Sequence, residues 1–420
     1  MTVPSVRNVQ PRGACPRLAA PMQTGDGLLA RIVPSGPIAI DAFAALCAAA
    51  KTRGNGLMEI SARGSVQVRG LDPSSAPLFA ASVEALGIGH DDAIPVLTNP
   101  LPHDPAAQIG VHGLGAEVRN AIAVRNLALA PKVSIVIDDG GQISFDSVAA
   151  DIRLRAVAHE SGVKLFALLG GDGTYATPLG LVAPKHACQL VCDLLQVLAA
   201  RGPQARARDI LRDEGLSPFL TAARVPLDPM TSRPARRMDE TIGLQRWGDG
   251  LCAIGVSLPF GQAQALDLIA LLRIARANGA AWAATAPMRT LLLGPIDEMT
   301  AFALGTAADT LGFVVDARDP RRRVIACAGA PACASGLIPA RTLAAEIASQ
   351  LNQGDLAVHV SGCAKGCAHQ QPAPLTIVGT AQGSVFVKNG TAHEPPDSSV
   401  RTDDVVTEAV RTTLNEGADA

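Results

Sequence analysis

The chain has 420 residues, 48% of them hydrophobic and 18% charged, with a formal net charge of −2. That is apolar material for roughly two to four domains, without the basic excess of a nucleic-acid-binding protein. Aromatic residues make up only 3%, so Ala, Val, Leu and Ile must fill the cores.

The opening segment, MTVPSVRNVQPRGACPRL, has no continuous apolar run, and no signal peptide is expected. The apolar stretch 163–183 is broken by Lys164, Asp172, Pro178 and several glycines, unlike a membrane span. These readings predict a cytoplasmic protein without membrane contact. Nine cysteines are an odd number for a disulfide framework, and a reducing compartment favours metal binding for any clustered subset.

In chain order, GDGLLAR (25–31) leads into a short strand and a turn. The apolar stretch DAFAALCAAAKTRGNG (41–56) reads as a helix closed by glycine. SARGSVQVRG (61–70) reads as a strand, and a second helix ends at Leu86-Gly87. The same series returns at an offset of about 224 residues: GDGLCA (248–253), the helix QALDLIALLRIARANG (264–279), the strand TAPMRTLLLG (285–294), and a helix ending at Leu311-Gly312. The repeat continues beyond these elements. PKVSIVIDDGG (131–141) matches LAVHVSGCAKGC (356–367), and VKLFALLGGDGTYATPLG (163–180) is paired with PLTIVGTAQGSVFVKNG (374–390). Helices at 186–201 and 403–417 close the copies. A duplicated α+β chain is predicted, with a first half-domain at 12–90 and an α/β unit at 91–202. A Pro- and Arg-rich exposed linker covers 203–243, followed by a second half-domain at 244–315 and a second α/β unit at 316–417.

The copies differ in chemistry. Only the second carries ACAGAPACASG (326–336) and HVSGCAKGCAH (359–369). Cys327, Cys333, Cys363 and Cys367 thus form C-x5-C, about thirty residues, then C-x3-C. Four thiolates suit tetrahedral zinc or an iron–sulfur cluster. The x5 loop is wider than the usual zinc knuckle, and its small residues leave room for a cube. Gly362 and Gly366 supply bends. Of the other cysteines, Cys47, Cys188, Cys192 and Cys252 read as packed thiols, and Cys15 has no clear reading. In the first copy, Arg63, Ser65, Gln67 and Arg69 alternate with Val66 and Val68, so a polar, basic face lies opposite an apolar one. That face reads equally well as an anion site or as a solvated strand face.

The cysteine pattern at the end of a doubled chain resembles the sirohaem-dependent sulfite and nitrite reductase superfamily. That resemblance implies two ferredoxin-like half-domains, each followed by an α/β unit, in a pseudo-twofold arrangement. It makes Cys327, Cys333, Cys363 and Cys367 the ligands of a 4Fe-4S cluster. It also assigns Arg63, Gln67 and Lys132 to tetrapyrrole binding and gives Lys365 the catalytic position; Arg69 joins the first group through its share of the strand face. Two expected cations are missing, because Ser134 stands where the superfamily has a second lysine and Ile94-Pro95 where it has an Arg-Asn pair. Arg31, Arg119 and Arg125 are candidates to compensate. A closer resemblance, carried by RGACPRLAAPMQTGDGLL (12–29), PKVSIVIDDGG and HVSGCAKGCAH, is to the precorrin-3B synthase family. In that family precorrin-3A is a substrate, hydroxylated at C-20 with closure of a γ-lactone, using O2 and formally NADH. The resemblance further implies a mononuclear non-haem iron, for which His359 and His369 are the candidates, although an isolated His is more often structural. Asp138 and Asp139 read as turn residues. No G-x-G-x-x-G follows a strand and opens a helix, so an external donor, a ferredoxin or NADH-linked reductase, is expected. The alternative is a sirohaem sulfite or nitrite reductase.

Overall fold

The computed structural model describes residues 15–91, 94–230, 235, 240–352, 357–400 and 404–417. The first copy contains β1 (Met22–Thr24), β2 (Gly27–Ile32), β3 (Ile38–Ala39), α1 (Ile40–Arg53), β4 (Leu57–Ile60), β5 (Val66–Leu71) and α2 (Ser75–Ala85). Its α/β unit adds β6 (Val96–Thr98), α3 (His112–Arg125), β7 (Ile135–Asp138), β8 (Ala150–His159), β9 (Gly162–Gly171), β10 (Thr177–Val182) and α4 (Ala187–Ala200). Two short helices follow, α5 (Ala207–Glu214) and α6 (Ser217–Ala222). The second copy begins with β11 (Gly243–Arg246), β12 (Cys252–Ser257), β13 (Gln262–Gln264), α7 (Ala265–Ala277), β14 (Trp282–Ala286), β15 (Thr290–Ile296) and α8 (Glu298–Thr310). It ends with β16 (Val324–Ala326), α9 (Ala340–Ala348), β17 (Val358–Ser361), β18 (Ala373–Thr380), β19 (Gly383–Gly390), β20 (Ser398–Val400) and α10 (Val405–Gly417). Among the described residues no helix is long and apolar enough to cross a membrane.

The duplication is visible in the sheets. The half-domain sheets run β1-β2-β5-β4-β13 and β11-β12-β15-β14-β3. The last strand of each comes from the other copy. Gln262 pairs with Glu59 and Gln264 with Leu57, while Ala39 pairs with Trp282. Each exchanged strand leads directly into the long helix of its copy, so α1 and α7 pack across the junction. Phe43, Leu46, Cys47 and Ala50 share one core with Leu268, Leu271, Leu272 and Ala275. Both helices are Ala- and Leu-rich, which favours helix formation and lets them approach closely.

The α/β sheets also match, as β6-β7-β8-β9-β10 and β16-β17-β18-β19-β20. In each, two parallel pairings are followed by two antiparallel ones. β7 and β17 are buried throughout, as parallel strands covered on both faces are. The first unit sets Ile143, Phe145 and Val148 against Ala253, Ala284 and Leu292 of the second half-domain. The second unit reaches the opposite way, where Gly25 N–H donates to the Ala332 carbonyl at 3.1 Å. The units therefore dock crosswise.

Three sequence readings change. The counterpart of the β18–β19 hairpin is β8–β9, so pairing 163–180 with 374–390 runs one strand late. β8 was hidden because Arg153 and Arg155 interrupt its apolar pattern, although Arg153 is 1% exposed. Part of the expected exposed linker folds: α5 and α6 bury Ile210 and Phe219 against the first α/β core. Arg63 precedes β5, in the turn that joins β4 to it.

Leu271 is 0% exposed in the core shared by both copies. Leu271→Ala is expected to cost roughly 2–5 kcal/mol and to shift a single unfolding transition of the whole chain, followed by denaturant titration. Two transitions, with only one shifted, would show that the halves fold independently.

Candidate metal centre and anion face

Cys327 follows β16, and Cys363 and Cys367 follow β17. These strands are parallel neighbours, with Val324 opposite Val358 and Ala326 opposite Val360. Both cysteine loops therefore leave the same carboxyl edge of one sheet, where ligand sites of α/β folds form. Gly362 N–H donates to Cys327 Sγ at 3.1 Å, and Leu337 N–H to the Gly362 carbonyl at 2.7 Å. A side chain at Gly362 would place its Cβ 3.0 Å from Gly329 Cα and 3.4 Å from Cys327 Sγ. Glycine thus suits the close approach of the two loops there, while Gly366 takes a positive φ of 54°. Cys333 N–H closes its own loop on the Gly329 carbonyl at 2.7 Å.

Cys327, Cys333 and Cys363 are half-buried and Cys367 is exposed. Burial pushes the Cys367 thiol up. Cys327, Cys363 and Cys333 add to that by their charge, and Lys132 opposes it. Burial also raises Cys327, against amide donors from Gly362 and Gly329. The four sulfurs thus share one electrostatic neighbourhood. Among the described residues, no three His, Cys, Asp or Glu side chains converge on a single ion. Soft thiolate donors, loop amides aimed at sulfur and small flanking residues fit a polynuclear iron–sulfur group.

The basic strand divides into two jobs. Val66 and Val68 enter the core, and Gln67 and Arg69 lie on the other face. Arg69 is only 3% exposed and is fully engaged. Its guanidinium forks onto Asp26 at 2.8 and 2.9 Å, donates to the Ala332 carbonyl at 2.6 Å and lies 3.6 Å from Glu59. Its expected role in binding a carboxylate ligand is therefore replaced by an internal one. Burial alone would raise the Asp26 carboxyl, but the Arg69 bond and charge hold it below the ordinary value.

Arg63 makes no side-chain hydrogen bond or ion pair among the described residues. Burial lowers its pKa, with nearby Arg206 and Arg31 also repelling it and Asp151 opposing. Asp151 is itself held by the fork of Arg206 at 2.9 Å. Arg31, opposite Gln67 in the sheet, is likewise lowered, by burial first and then by Arg17, while Cys15 opposes. Its Nε is buried without a partner. Sequence reasoning named Arg31 only as a substitute cation; its orphaned donor makes it a primary candidate. Lys132 is exposed and close enough to act on Cys367. Lys365, also exposed, reaches Ser335 Oγ at 3.3 Å and so ties the two cysteine loops together.

Several other candidates are engaged within the fold. Arg119 pairs with Asp91 at 2.9 Å, and Arg125 caps the Ala121 carbonyl at 3.1 Å. Ser134 is 1% exposed and its N–H donates to Asp151 at 3.1 Å. Asp138 and Asp139 accept from Gly140 and Gly141 N–H at 2.8 and 2.9 Å, as turn residues do. His359 is 0% exposed with both ring nitrogens unpartnered, its ring 5.6 Å from that of His369. Burial brings His359 down to about 4, with His369 and Arg289 adding to the effect.

No protein-family model matches the chain. The NirA protein of Mycobacterium tuberculosis shares the fold, with a TM-score of 0.76 at 19% identity, covering 92% of this chain and 80% of that one. A sulfite reductase (ferredoxin) of Mycolicibacterium paratuberculosis is 24% identical over 192 residues, 42% of this chain and 35% of that protein. A precorrin-3B synthase from Sinorhizobium sp is 38% identical over 406 residues, 94% of this chain and 86% of that protein. With the duplicated reductase-like fold, the paired cysteine loops and this likeness along nearly the full length, the chain belongs to the precorrin-3B synthase family.

Proposed function

We propose that this chain converts precorrin-3A to precorrin-3B with O2, and holds a 4Fe-4S cluster on Cys327, Cys333, Cys363 and Cys367. The observation that carries the substrate class is the pair Arg31 and Arg63. Two guanidiniums share a partly dry site, repel each other, and leave a buried donor unpartnered. An unpaired buried charge is costly, and a ligand rich in carboxylates relieves it through charge-assisted bonds. Gln67 lies beside Arg31 in the sheet and adds a neutral donor. Lys132 and Lys365 place cations on the cysteine side.

The reaction balances as one tetrapyrrole, one O2, two electrons and two protons giving the C-20 hydroxylated γ-lactone and water. When bound, the cluster supplies electrons singly. Arg31 and Arg63 fix the ring by its acid side chains, which orients one meso-carbon toward the cysteine loops. Lys365, exposed between Cys363 and Cys367, is the residue assigned to deliver a proton there. The electrons come from a ferredoxin or an NADH-linked reductase. The sirohaem reductase alternative lacks support at two positions: Ser134 is buried and neutral, and Pro95 gives its carbonyl to Ile135 N–H at 2.9 Å within the sheet.

Protein purified without air is expected to show a broad violet shoulder and to contain iron and acid-labile sulfide. With precorrin-3A, a reductant and labelled O2 it is expected to form a product carrying one labelled oxygen. A sharp Soret band in the protein would return the chain to the sirohaem reading, and unlabelled product would refute the oxygenase. Arg63→Ala should weaken precorrin-3A binding roughly tenfold to a hundredfold, the range of one charged hydrogen bond, while the violet shoulder stays. Unchanged affinity would remove Arg63 from the pocket.

A further inference from the structure

Arg69 belongs to a charge group that the reaction does not use. Arg69 bonds Asp26 and faces Glu59, and Glu59 in turn lies in an ion pair with Arg341 at 2.8 Å. These four formal charges cancel, and the buried Arg289 guanidinium acts on Glu59 and Arg341 from beside them. Their side chains are shielded, at 4% exposure for Arg69, 17% for Asp26, 11% for Glu59 and 18% for Arg341. The group ends on the cysteine loop, because Arg69 donates to the carbonyl of Ala332, the residue before Cys333. Gly25, next to Asp26, donates its N–H to the same carbonyl at 3.1 Å. The turn lies so close that a Cβ at Gly25 would sit 2.6 Å from the Pro331 carbonyl and 2.8 Å from Ala334 N. Arg69 is also near enough to Cys333 for the thiolate's charge to act on it.

From this geometry we infer that Arg69, with Asp26 and Glu59, is a positioning group that seats the Cys333 loop and sets the reduction potential of the metal group held there. The inference rests on the assignment of the cluster to the four cysteines. Reduction adds a negative charge at the sulfurs. A desolvated cation nearby favours the reduced state, and a carboxylate opposes it, with little screening by water. Removing Arg69 takes a positive charge away from the group, whereas removing either carboxylate takes a negative one. The substitutions must therefore move the potential in opposite directions, which loss of a merely structural contact would not do.

The test is redox titration of anaerobically purified wild-type protein and of Arg69→Gln, Arg69→Lys, Asp26→Asn and Glu59→Gln, followed by electron paramagnetic resonance, together with the rate of iron release to a chelator. Arg69→Gln is expected to shift the one-electron equilibrium about tenfold toward the oxidised form, a fall of about 59 mV. Asp26→Asn and Glu59→Gln are expected to raise the potential. Arg69→Lys should keep the wild-type potential but release iron several-fold faster, because the fork that holds the loop is gone. Should Arg69→Gln not fold, the two carboxylate variants carry the sign test. Potentials that all move one way, or none at all, in protein that holds iron and sulfide would overturn the inference. Wild-type protein without acid-labile sulfide would instead overturn the cluster assignment beneath it.

Discussion

The structure depends on the way the two copies hold each other. Each half-domain sheet takes its last strand from the other copy, and α1 and α7 bury one common core. That pairing fixes where everything else goes. The first α/β unit packs on the second half-domain, and the cysteine loop of the second unit lands on the GDG turn of the first. A chain that merely carried two like domains in series would not bring thiols and arginines from opposite copies together.

Duplication then allowed the copies to diverge in chemistry without diverging in shape. β7 and β17 occupy equivalent places in their sheets. After β17 comes the Cys363 loop; β7 ends at Asp138, which with Asp139 holds a turn. β5 has a polar face bearing Gln67 and Arg69, whereas β15 is apolar through Leu291, Leu292 and Leu293, each 0% exposed. One half keeps charge, the other sulfur, and the crosswise docking sets them face to face.

Much of this was legible in the sequence. The cysteine spacing is local, and the parallel neighbours β16 and β17 bring its two parts together. The main helices are continuous apolar stretches, and the offset between copies is nearly constant. What was hidden has physical causes. Arg69 read as a ligand-facing residue because its partners lie 43 and 263 residues away, at Asp26 and Ala332. Alternation shows which face a side chain takes, not whether that face is already filled. Arg153 disguised β8, since a fully buried arginine mimics an exposed position; it gives hydrogen bonds to the carbonyls of Phe145 and Val148. The exchanged strands β3 and β13, two and three residues long, are too short to leave a periodic signal.

The borrowed strands also bear on synthesis. β4 is complete by Ile60, yet the strand that covers its outer edge, Gln262–Gln264, lies about two hundred residues later. At ribosomal speeds of about 5–20 residues per second, that edge stays uncovered for about 10–40 s. An unpaired strand edge is a template for pairing with another chain. The nascent molecule is therefore most vulnerable to misassociation through the middle of translation, before the second half of its own polypeptide arrives to close it.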